Sequence, residues 1–316
     1  MKKYLLFLRD DIIRRIGYLP WHIVIRYMWM WGTSIFFLHK ANLCYAKRKH
    51  RFITTYLDKH YGGLVPTCEM NQTIQDISNL NIWVFWYQGE SSMPELIRMC
   101  YKSICRNANG RKVVLLTKDN IDDYVQMPSY IIEKVNKGYI SFTHLSDLLR
   151  VSLLYKYGGT WMDATLLVTA PIDNSKMNGV FGTVKVHPLS EGTISDYRWT
   201  SFYMFCYPES LAMKCFRDVM FAFLGENKGM LDYFFIDYTF ELLYQKNPSF
   251  KTIVDDNPYT NQHIFDCRLN DTYHGQFENE WAGTHVFKLN RRTNIETNKM
   301  NSFYNYINSK SSISIF

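Results

Sequence analysis

Asp147, Arg150 and Asp163 are the residues whose types and spacing point most directly to chemistry. The first two lie three apart in the run THLSDLLRVSLLYKYGG, so on a helix they share one surface and can pair or reach a common ligand. Asp163 interrupts the apolar stretch TWMDATLLV, where an ionised carboxylate is costly unless a cation, a donor or water meets it. An isolated aspartate at such a point is more often a turn or capping residue. The combination counts here: a carboxylate at a strand end with a cation nearby can hold an anionic leaving group, or a metal that bridges one.

The elements that must position these groups can be read around them. Leu145, Leu148, Leu149 and Leu153 recur at roughly helical spacing, Thr143 suits an N-cap, and Asp147 falls where the helix dipole favours an anion. Gly158-Gly159 stops this helix, because glycine takes the positive φ that a C-cap needs, and residues 160–168 then read as strand. Upstream, residues 81–87 (NIWVFWY) form a buried strand ending at Gln88-Gly89, and residues 93–105 form a helix with Pro94 in its first turn. Residues 113–117 are a second strand, and short helices fill 121–135. Alternating strands and helices imply a parallel sheet with right-handed crossovers, whose ligands bind at the strands' carboxyl ends. Trp86 and Gly89 lie at such an end, while Trp83 takes the core, since alternate strand residues face opposite ways.

Ser146-Asp147-x-x-Arg150 followed by Tyr157-Gly158-Gly159-x-Trp161-Met162-Asp163-Ala164-Thr165 resembles the helix and metal-site block of glycosyltransferase family 32 and the capsular polysaccharide synthesis proteins. It is more distantly similar to the clostridial toxin glucosyltransferases. The resemblance runs from residue 81 to 172 and more weakly to 289. It implies an α/β fold of GT-A type: a Rossmann-like mixed sheet flanked by helices, occupying residues 78–316, with residues 1–65 as an N-terminal helical extension. It also implies a nucleotide-sugar donor, a UDP-sugar, with retention of anomeric configuration, and a divalent metal, Mn2+ or Mg2+, bridging a D-x-D motif and the diphosphate. Here the motif is Asp163-Ala164-Thr165, with threonine in the second acid's place.

The same resemblance supplies the remaining site candidates. Trp86 stacks on the base, with Gly89, Asp147, Arg150 and Asp163 around the nucleotide sugar. A C-terminal segment closes over the diphosphate, where Lys288 binds phosphate and His285 joins Asp163 and Thr165 on the metal. Asp237, in the apolar helical stretch 230–238, lines the acceptor side and is a second catalytic candidate beside Asp163; a hydrogen-bonded core acid is the plainer view of it. A surface residue is likewise the plainer view of His285.

The wider composition is that of a globular protein: 316 residues, 47% hydrophobic, can bury a large core. Seven scattered cysteines show no C-x-x-C pair and read as reduced thiols of a cytoplasmic protein. The net charge of +7 is uneven, because residues 1–60 carry twelve Lys and Arg against three Asp. Tryptophans, tyrosines and isoleucines are interleaved with them. Such a segment suits an anionic membrane surface on the inner face of the cell membrane, without spanning it, because Pro20, His22 and Arg26 break the longest apolar run. Helices packed on the main domain with a solvated basic face explain it equally well. Nucleic-acid binding is a third possibility, but no nucleic-acid motif accompanies the charge and no nucleic-acid partner is expected. Residues 61–75 read as a linker. The function expected is sugar transfer to a lipid-linked oligosaccharide acceptor in capsular or exopolysaccharide assembly. A metal-dependent nucleotidyl- or phosphotransferase and a non-catalytic membrane scaffold are the alternatives, the former lacking a Gly-rich phosphate loop.

Overall fold

A computed structural model describes residues 19–34, 41–70, 79–173, 181–187, 191–263, 265, 268–275 and 283–312. Two expectations fall partly outside these residues: the basic segment before residue 19 and part of the 61–75 linker. In chain order the elements are α1 (Trp21–Ser34), α2 (Ala41–Tyr61), β1 (Ile82–Phe85), α3 (Glu95–Arg106), β2 (Val113–Leu116), α4 (Ile121–Tyr124), α5 (Ser129–Asn136) and α6 (Phe142–Tyr157). Then come β3 (Gly159–Met162), β4 (Leu166–Val168), β5 (Lys185–Val186), β6 (Tyr203–Cys206), α7 (Leu211–Glu226), α8 (Phe235–Lys246), α9 (Pro248–Asp255), β7 (Tyr259–Thr260), β8 (Val286–Lys288) and α10 (Phe303–Ser312).

The central sheet has the order β2-β1-β3-β6, with β1 parallel to both β2 and β3, and β6 antiparallel to β3. It is the mixed, helix-flanked sheet that was expected, and it brings the carboxyl ends of β1, β2 and β3 to one edge. A glycine is needed where β3 begins. Gly159 has φ +95°, and a Cβ there would lie 2.2 Å from the Asn81 carbonyl oxygen, to which Thr160 N–H donates at 3.0 Å. Trp83, buried in β1, donates its indole N–H to Gly158 O at 2.9 Å and so locks the helix end against the sheet.

Three boundaries differ from the sequence reading. Helix α6 is capped by Ser141, whose hydroxyl accepts from His144 N–H, so it starts before Thr143 and Asp147 lies beyond its first turn. The strand expected over 160–168 is split. Leu166 N–H bonds back to Asp163 O, turning the chain so that β4 leaves the central sheet and pairs with β8. Helix α8 starts at Phe235 rather than 230, which places Asp237 in its first turn.

The N-terminal helices are not a detached unit. Ile23, Val24, Tyr27, Met30, Ile53 and Leu57 share one hydrophobic core with α6, α7 and α8. Polar clasps reinforce this packing: Tyr27 donates to Leu231 O at 3.0 Å, Lys49 pairs with buried Asp232 at 2.8 Å, and Tyr61 donates to Glu226 at 2.8 Å. Their outward faces differ in character. Trp21, Ile25, Met28 and Trp29 recur on one side of α1 and are exposed, Trp21 at 65%.

Candidate active site

Asp163 sits immediately after β3, in the turn to β4, and three side chains converge on it. Trp161, two residues earlier, donates its indole N–H to Oδ1 at 2.9 Å. Arg150, from the middle of α6, donates Nη2 to the same oxygen at 3.1 Å. Lys288, from β8, reaches Oδ2 at 2.8 Å and Thr165 Oγ1 at 2.7 Å. The backbone fixes the turn as well, since Asp163 N–H donates to Phe202 O and Leu289 N–H to Thr165 O, each at 3.0 Å.

The cluster has two layers. Asp163 and Lys288 form the outer one, with side chains 25% and 21% exposed and within reach of a ligand. Arg150 and Asp147 form the inner one, 4% and 5% exposed, with Nη1 3.4 Å from Asp147 Oδ1. Arg150 also donates to Ser201 O at 2.5 Å and to Ser146 Oγ at 3.2 Å, and its guanidinium lies 5.0 Å from the Trp161 ring centroid. Asp237 is nearby and buried, accepting from Trp199 Nε1 at 3.0 Å.

Environment separates the three carboxyls. Burial opposes ionisation of Asp163, but Lys288 and Arg150 outweigh it and hold this group below the usual carboxylate range. Burial pushes Asp147 up to about 7, against Arg150 and helped by Asp237 and Asp163. Burial likewise pushes Asp237 up to about 6, against its hydrogen bond from Trp199 and the charge of Arg150. Near neutral pH, therefore, Asp163 is firmly ionised beside two cations while its two acidic neighbours hold their protons more tightly.

Trp86 and Gly89 follow β1 at the same edge of the sheet. Trp86 is half-buried, its backbone N–H bonded to Leu116 O at 3.0 Å and its indole N–H to Ser92 Oγ at 3.0 Å. Gly89, with φ +85°, turns the chain beneath it and donates to Trp86 O.

The ligand set expected for a divalent metal, Asp163 with Thr165 and His285, is not assembled. His285 is exposed at the far end of the β4–β8 ladder, where its carbonyl accepts from Thr169 N–H. It is three residues from Lys288, about 10 Å along a strand and on the opposite face. Lys288 lies instead between the two oxygens of the motif. Hard divalent cations want about six oxygens, and the turn offers one carboxylate and one hydroxyl, both already accepting from donors. Among the described residues no group of three His, Cys, Asp or Glu side chains converges to hold a metal. The residues present do not fit the metal that the resemblance implied.

Sequence reading missed Trp161, Trp199 and the carbonyl of Ser201. Trp161 was findable, because residues two apart on a strand share a face. The other two come from chain segments whose proximity only the sheet order creates.

A mixed α/β sheet with an acid and two cations at the carboxyl end of its central strand can offer positive charge to an anion at that edge. Known relatives narrow this. The chain is 25% identical over 121 residues to glycosyltransferase afumC of Aspergillus fumigatus, covering 35% of this chain and 31% of that protein. It is 31% identical over 96 residues to O-glycosyltransferase braB of Annulohypoxylon truncatum, covering 28% and 23% respectively. To the probable glycosyltransferase FCK3 of Fusarium pseudograminearum it is 31% identical over 106 residues, covering 30% and 27%. The matches thus span less than a third of these relatives' lengths. Among solved structures, the PaToxG glycosyltransferase aligns over 73% of this chain and 82% of its own, with TM-score 0.38 and 14% identity. The chain belongs to the capsular polysaccharide synthesis protein family, which it matches over residues 34–307.

Proposed function

We propose that this protein is a glycosyltransferase that takes a sugar from a nucleoside diphosphate donor, a UDP-sugar, and passes it with retention to a lipid-linked polysaccharide acceptor. The observation that carries the reading is the cluster of Asp163, Arg150 and Lys288 at the carboxyl end of β3, with Trp86 at the same edge. In transfer, the bond between the anomeric carbon and the diphosphate oxygen breaks and its electron pair stays on that oxygen. The acceptor hydroxyl bonds to the anomeric carbon, and its proton passes to the released diphosphate or to a carboxylate. Preorganised cations facing the departing oxygen lower this barrier most. Asp163 keeps Arg150 and Lys288 in place, Asp147 backs Arg150 from the inner layer rather than touching the donor, and Asp237 lies on the acceptor side. Trp86 offers a ring to the base.

The acceptor's setting is an anionic membrane surface on the cytoplasmic face, which α1 supports. Its exposed Trp21, Ile25, Met28 and Trp29 lie beside Arg26, whose guanidinium is 5.5 Å from the Trp29 ring, and Arg48 and Arg51 follow on α2. Among the described residues no helix is long and apolar enough to cross a membrane, and an exposed apolar helix face flanked by arginines suits interfacial attachment. Vesicles of phosphatidylserine and phosphatidylcholine should sediment the protein and release it as salt rises. Double substitution of Trp21 and Trp29 by serine should abolish sedimentation, and undiminished binding by that variant would refute this face as the anchor.

The activity itself is tested by incubating the protein with a panel of sugar nucleotides and separating products by chromatography. Release of a nucleoside diphosphate, absent in Asp163→Asn, supports the reading. Release of a nucleoside monophosphate or pyrophosphate would identify a phospho- or nucleotidyltransferase instead, and no turnover of any donor would refute both.

A further inference from the structure

We propose that Lys288 takes the place of a divalent cation in this site: its ammonium, held between Asp163 and Thr165, meets the donor's diphosphate, so that binding and transfer proceed without metal. The inference rests on the donor assigned above. Placement is the first argument, since Nζ lies 2.8 Å from Asp163 Oδ2 and 2.7 Å from Thr165 Oγ1, the two oxygens of the motif on which the metal was expected. A second acid at position 165 would demand a dication; a threonine hydroxyl instead accepts from an ammonium and can still donate to a phosphate oxygen.

The ammonium is also held by more than its own chain. Lys288 lies opposite Leu166 in the β4–β8 ladder, its N–H bonds to Gln262 O at 2.8 Å, and its Nζ is 4.8 Å from the Phe202 ring centroid. The strand therefore presents the charge at a fixed place, as a bound ion would be presented. Charge balance is the third argument. Lys288 and Arg150 already occupy both oxygens of the ionised Asp163, so a dication would have to enter beside two cations with no free carboxylate oxygen to meet it there. During transfer Lys288 keeps its proton and stabilises the negative charge that develops on the departing oxygen.

A purely structural clasp between β8 and the Asp163 turn predicts different behaviour, and calorimetry on the full chain separates the two. The four common nucleoside diphosphates, their nucleosides and inorganic pyrophosphate are titrated in EDTA and again in Mn2+. The expected result is one nucleoside diphosphate bound equally well in both, within about twofold, and displaced by pyrophosphate. Lys288→Met should weaken that diphosphate by roughly tenfold to a hundredfold, as for a lost charged hydrogen bond, while leaving its nucleoside unchanged. Equal weakening of nucleoside and diphosphate would mean a clasp only. A measurement on the unsubstituted protein guards against a variant that fails to fold: the electron paramagnetic signal of free Mn2+ should not fall when protein is added. Stoichiometric uptake of Mn2+, or diphosphate binding that requires it, overturns the inference and leaves the glycosyltransferase reading standing. If no nucleoside diphosphate binds under either condition, the donor assignment fails and the inference falls with it.

Discussion

Replacing Asp147 by asparagine removes a carboxyl whose pKa burial pushes up to about 7, and nearly preserves its shape. The folded value lies above the unfolded 3.8, so in this window the native protein holds a proton that the unfolded chain has released. Native stability must then fall as pH rises toward about 7, the reverse of a salt-bridged carboxylate. Going from about pH 5 to about pH 8 crosses roughly two pH units below the folded value, a loss on the order of 3 kcal/mol. Asp237, pushed up to about 6, bends both curves over the same range, and because its charge acts on Asp147 the difference between the curves reports the pair. Urea unfolding followed by tryptophan fluorescence across this range gives the two curves. The asparagine protein should resemble wild type near pH 5 and gain on the order of 3 kcal/mol on it by about pH 8. Parallel curves would show that Asp147 is not held protonated in the native state. A gap opening the other way would show that Arg150, 3.4 Å away, outweighs burial.

Asp163→Asn keeps the size of the side chain but takes away the one charge that meets both Arg150 and Lys288. Donor turnover should fall by about a hundredfold or more, and urea unfolding should show a loss of about 3 kcal/mol, because a buried cation loses its counter-charge. A variant with most of its turnover intact would remove Asp163 from the mechanism. Trp86→Ala should weaken donor binding by about tenfold through lost stacking without altering which sugar is preferred, as read by calorimetry; an unchanged affinity would make Trp86 packing alone. Gly159→Ala should destabilise the protein by about 3 kcal/mol or more and lower its thermal unfolding midpoint sharply, because φ +95° and the Asn81 carbonyl leave no room for a Cβ. A midpoint within a degree or two of wild type would refute that account.

The block from Ser146 to Thr165 was legible in the sequence because its signals are local. Leucines at helical spacing, two glycines and a charged residue breaking an apolar strand each constrain the few residues around them. The alternation that put Trp83 in the core and left Trp86 at the strand end is equally local. Resemblance extended this to Lys288 as a phosphate-binding cation and His285 as a metal ligand, placing both at the diphosphate, and their fates differ. An odd separation on a strand sends the two side chains to opposite faces, and only the pairing of β8 with β4 decides which one meets Asp163. The same holds for Asp237, whose partner Trp199 comes from a segment 38 residues earlier, and for the N-terminal helices. Their basic and aromatic composition was equally compatible with a membrane-facing appendage and a packed layer. Burial of Ile23, Tyr27 and Ile53 in the shared core, with Trp21 and Trp29 left outside, divides those residues between the two faces. Composition cannot make that division, because the sequence fixes which residues are apolar but only tertiary packing decides which apolar residues find a partner.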